Sequence, residues 1–74
     1  MTTLTPWEQK AKTLLRVEMT KQGLSYKDLQ SKLADIGVAE EEPAIRNKVG
    51  RGKFSAAFLL QCLSAIGCHT VSLD

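Results

Sequence analysis

Helix-starting and helix-stopping residues divide this chain into four windows and leave little sequence between them. Thr5, Pro6 and Glu8 form a capping-box start, with proline at the first helical position, where its missing N–H breaks no helical bond. Gly23 supplies the left-handed residue that closes such a helix. Ser25, with Asp28 three residues on, opens a second window that stops before Gly37. Pro43 opens a third, closed by Gly50 and Gly52, and Ser55 opens a fourth that runs to Gly67. The spacing predicts helices over about 6–22, 26–36, 43–50 and 56–66.

Apolar residues fall at helical spacing inside each window. Trp7, Ala11, Leu14, Leu15 and Met19 share one arc of the first helix and are expected to face a core. Tyr26, Leu29, Leu33 and Ile36 do the same in the second, and Ala44, Ile45 and Val49 in the third. In the fourth, Phe58, Leu59, Leu60, Cys62, Leu63 and Ile66 leave only a thin polar stripe, so that helix is either central to the fold or shared with a second subunit. The expectation is a single all-α domain over residues 1–74, a four-helix bundle. The tail Thr70-Val71-Ser72-Leu73 alternates polar and apolar residues, a pattern that fits either a short C-terminal β-strand pairing with a partner chain or a frayed end.

Composition narrows the class further. With 43% hydrophobic and 24% charged residues, the chain has the apolar content of a folded domain and not of a disordered one. The first five residues hold neither a positive segment nor an apolar run, so no secretory signal is expected. The longest uncharged stretch, Phe54 to Leu73, is interrupted by Gly67 and His69, so no membrane span is expected. Two cysteines in a helical pattern read as reduced thiols, which points to a cytoplasmic protein.

Catalytic constellations are not in evidence. The one histidine, His69, adjoins Cys68 without a third group to orient the pair, and no Gly-rich loop follows a strand, so neither an enzyme nor a cofactor site is expected. Cys62, Cys68 and His69 lack the close ligand pair of a zinc site, so no metal is expected either.

Charge placement is more informative than the net charge of +2. Arg46, Lys48, Arg51 and Lys53 fall in one window around Asn47, and no acid occurs between Pro43 and Leu73. Arg and Asn bond bidentately to guanine and adenine edges, and Lys meets phosphate. The alternative is a solvated helix face whose cations sit near a C-terminus, where the helix dipole favours them. Charge alone leaves both open. Glu40, Glu41 and Glu42, just before this window, suit a helix N-terminus but would repel phosphates unless turned away.

From Leu15 to Cys68 the chain resembles lambda-repressor-like (Xre-like) helix-turn-helix domains. The resemblance lies in Gly23-Leu24-Ser25 leading into Asp28-Leu29, in Gly37-Val38, Ile45 and Arg51-Gly52-Lys53, and in the leucine-rich last helix ending Ala65-Ile66-Gly67. It implies a DNA-binding transcriptional regulator that acts on double-stranded DNA as a homodimer, through the last helix or the C-terminal segment. Arg46, Asn47 and Lys48 would then enter the major groove. Ser25, Tyr26 and Lys27 would lie near the phosphate backbone, with Arg51 and Lys53 as further phosphate contacts. The chain departs from that pattern by the added Ala34-Asp35-Ile36, by two more residues between Gly37 and Ile45, by Gln30 where the class has a small residue, and by a spacing of four between Ile45 and Val49 where three is common. These changes alter how the third helix is presented, and they motivate an alternative: a protein-interaction or dimerisation module on the same scaffold without DNA binding. Nearly the whole chain is also similar to a family of short bacterial proteins of unknown function, through Trp7, Gly23 to Tyr26, Arg46 to Lys48, Arg51-Gly52 and Phe58 to Leu63.

Overall fold

The structure is a computed structural model that describes residues 3–73. It contains α1 (Pro6–Gln22), α2 (Tyr26–Asp35), α3 (Glu42–Arg51) and α4 (Ala56–Ala65), and no strand among the described residues. The start signals act as expected. Thr5 and Ser25 form reciprocal capping boxes with Glu8 and Asp28, and the Ser55 hydroxyl accepts from the Phe58 N–H. The third helix is longer than expected. It begins at Glu42, so Pro43 stands at the second helical position, where its missing N–H is still harmless. It continues through Gly50, and Gly52, with φ 69°, is the residue that ends it.

Each helix contributes a fully or nearly buried pair spaced by four: Leu15 and Met19, Leu29 and Leu33, Ile45 and Val49, Phe58 and Cys62. Leu63 and Ile66 complete the core from α4 and the turn after it. α2 packs against both α3 and α4, and α4 packs against α1, so α2 and α4 each touch two other helices. The side chain of Gln22 donates to the Ile66 carbonyl at 2.9 Å and ties the end of α1 to the end of α4.

Three residues expected in the core are elsewhere. Trp7 is 78% exposed. The first turn of α1 meets the chain just past the end of α3 through other side chains, Glu8 reaching Lys53 at 3.0 Å, and leaves the Trp7 ring to solvent. The apolar residue that anchors this entrance is Leu4, which packs beside Gly52 and Lys12. Ile36 is 47% exposed because α2 stops at Asp35, which leaves Ile36 as a cap outside the helical arc. Leu60 is 65% exposed on the outer side of α4. Of the two readings open for the tail, no strand forms among the described residues: residues 68–73 run as irregular chain, and the Lys10 ammonium donates to the Leu73 carbonyl. No helix among the described residues is long and apolar enough to cross a membrane.

Candidate nucleic-acid interface

Burying Ile45 and Val49 turns the opposite side of α3 to solvent. Pro43, Arg46, Asn47, Gly50 and Arg51, at successive steps of three and one, line one shallow groove there together with Glu42. Gly50 is unusual in this row. It lies within the helix, its φ is not positive, and a Cβ built on it meets nothing within 4 Å. Neither turn geometry nor packing inside the fold requires a glycine there, although glycine is among the poorest helix formers.

A second groove joins three helices next to the first. Arg16, Met19 and Thr20 of α1, Ser25 and Tyr26 at the start of α2, and Arg46 of α3 line it. The Arg46 guanidinium carbon stands 5.6 Å from the centre of the Tyr26 ring, a cation–π distance. Ser25 is committed locally, since its hydroxyl accepts from the Asp28 N–H at 3.1 Å. Lys12, one turn before Arg16 on α1, reaches across to the Gly50 carbonyl at 2.8 Å and satisfies one of the open acceptors at the end of α3.

The acidic triplet before α3 is engaged inside the fold. Glu42 accepts from the Arg46 Nε at 2.7 Å, Glu40 from the Lys48 ammonium, and Glu41 from the Gln30 side-chain amide at 3.3 Å. Lys48 also lies 4.9 Å from the centre of the Phe58 ring, so carboxylate and ring together draw it toward α4. Lys53 bridges back to Glu8 at 3.0 Å. Arg51 and Arg16 have no carboxylate partner among the described residues.

The structure therefore divides the expected contact residues. It brings Arg46, Asn47 and Arg51 onto one groove, and Ser25 and Tyr26 beside Arg46. Lys53 stands near Arg51 but is held by Glu8. Lys48 is held away by Glu40 and Phe58, and Lys27 is exposed on α2 and lines neither groove. Lys12, Arg16 and Gly50 are the additions. The first two share a helix face by their spacing of four, a signal present in the sequence, but only tertiary packing sets that face beside α3.

The thiols stand apart from these grooves. Burial, helped by the nearby Glu40, pushes Cys62 up to about 12, while Lys48 acts in the other direction. Among the described residues no three His, Cys, Asp or Glu side chains gather as metal ligands would.

A family model described as Domain of unknown function (DUF6471) matches residues 7–71. The chain belongs to this family. The span matched by DUF6471 runs from the exposed Trp7 to the tail along α1, so it includes all of α2, α3 and α4 and every residue of both grooves. No curated protein and no solved structure matches the chain.

Proposed function

We propose that this domain binds double-stranded DNA through the exposed side of α3, as a transcriptional regulator of the helix-turn-helix kind that its sequence resembles. The observation that carries this reading is the row Arg46, Asn47, Gly50 and Arg51: base-reading and phosphate-binding side chains around a helical glycine that the fold itself does not require. A glycine on such a face lets a sugar–phosphate backbone approach the helix closely. In this reading α3 enters the major groove, Arg46 and Asn47 meet base edges, and Arg51 meets phosphate. Arg16 extends the phosphate contacts onto α1, beside the start of α2, where backbone N–H groups also favour an anion. The pairing of Glu40 with Lys48 and of Glu41 with the Gln30 amide supports the reading, because it ties both carboxylates to partners inside the fold.

Fluorescence anisotropy with a labelled mixed-sequence duplex tests this. Affinity is expected to fall linearly in log–log form as salt rises, since bound cations release counterions. Arg51→Ala is expected to weaken all duplexes about equally and to reduce the salt slope by about one. Undetectable binding at low ionic strength, or binding indifferent to salt, overturns the reading.

A second reading, a protein-interaction or dimerisation module on the same scaffold, is favoured by Leu60, 65% exposed in the middle of α4. Sedimentation separates the two. A dimer that Leu60→Ser dissociates supports this reading, and a monomer that recovers no protein partner counts against it.

A further inference from the structure

We propose that Arg46 reads a guanine, its fork held in place beforehand by Glu42 and Tyr26, an inference that rests on the DNA-binding reading above. The Arg46 side chain is 66% exposed, yet it is constrained on two sides. The Glu42 carboxylate takes the Nε–H at 2.7 Å, one turn earlier on the same helix. The Tyr26 ring lies against the guanidinium at 5.6 Å and is itself half-buried against the core at the first residue of α2. An arginine carries five N–H donors. With the Nε–H taken, the two terminal nitrogens remain, and their spacing matches the N7 and O6 acceptors that guanine alone presents side by side in the major groove.

The same carboxylate argues for a base edge over a phosphate at this position. The Glu42 carboxylate beside the guanidinium opposes the full charge of a phosphate there more than the partial charges of guanine N7 and O6. Arg51, on the same groove without a carboxylate partner among the described residues, is the contrasting case and suits phosphate. Glu42 and Tyr26 thus act as positioning residues: they hold the reader and touch no base.

The test begins by selecting duplexes from a random library with the unmodified protein. Each guanine in the selected site is then replaced by 7-deazaguanine, which lacks N7, or by inosine, which keeps N7 and O6. At one position 7-deazaguanine is expected to weaken binding roughly tenfold while inosine does not. Arg46→Ala is expected to abolish that discrimination. Glu42→Ala is expected to reduce it and Glu42→Gln to restore most of it, because an amide oxygen still accepts from Nε. Circular dichroism of each variant accounts for any change in helix content, which a merely helix-stabilising pair would alter without changing base preference. Binding with no guanine sensitive to loss of N7, or a preference unchanged by Glu42→Ala, overturns the inference and leaves the DNA reading standing. Absence of duplex binding by the unmodified protein overturns both.

Discussion

Single residues decide how much of the basic window is available to a partner. Lys48 and Lys53 look equivalent to Arg46 and Arg51 along the chain, but Glu40 and the Phe58 ring hold the first and Glu8 the second. The Glu8 partner is 45 residues away, and no local pattern announces it. Glu8 is also bound by the Thr5 N–H, and this bond together with Lys53 holds its carboxyl below the usual carboxylate range; the Ser25 backbone and hydroxyl do the same for Asp28. A carboxyl lowered in the folded state adds stability above its unfolded value and loses it as the pH falls through the folded one. Thermal melts are therefore expected to hold level near neutrality and decline below the ordinary carboxylate range. Glu8→Gln and Asp28→Asn together are expected to flatten that decline, because they remove the titrating carboxyls themselves. Cys62 gives a second residue-scale expectation: buried and pushed up to about 12, it is expected to resist alkylation at neutral pH until the protein unfolds. Mass spectrometry after a timed reaction with iodoacetamide, with and without denaturant, checks this.

At the scale of elements, the two glycines that close the third window have opposite roles. Gly50 is helical and open, so Gly50→Ala is expected to raise stability by about 0.5–1 kcal/mol while weakening duplex binding. Gly52 has φ 69°, and a Cβ there would stand 2.9 Å from Leu4, so Gly52→Ala is expected to cost about 1–2 kcal/mol. Urea denaturation of both variants, with anisotropy for the first, checks the pair. Gly50→Ala that binds as tightly as the unmodified protein would remove Gly50 from the interface. These glycines also show where the sequence was legible and where it was not. Capping residues act within one turn, so Thr5, Ser25 and Ser55 located three helix starts directly from the sequence. Gly50 and Gly52 both read as stops, and only the backbone reveals that the helix runs through the first to the second. Helical spacing put Trp7 with the core because spacing tells which residues share a face and not which side chains of a turn a neighbouring element meets; here they are Glu8 and the preceding Leu4.

For the whole molecule, the fold was more legible than the site. Four apolar arcs each needed a partner and found one, but the wide arc of α4 is only partly covered, since Leu60 stays exposed. The site depends on which faces meet across the bundle, and Arg16 and Lys12 enter it from a helix that the basic window does not include. The exposed apolar residues fall on different elements, Trp7 and Val17 on α1, Ile36 after α2, Leu60 on α4, Val71 and Leu73 in the tail, while Arg16 and Arg51, which have no carboxylate partner among the described residues, line the two grooves at α3. On the proposed reading, the outer side of α3 is the surface that meets DNA. A ¹H–¹⁵N NMR titration with mixed-sequence duplex DNA at two salt concentrations tests it most directly. The account predicts salt-sensitive shifts at Arg46, Asn47, Gly50 and Arg51, extending to Arg16 and the start of α2. Shifts centred on Leu60 and α4, or none at low salt, would contradict it.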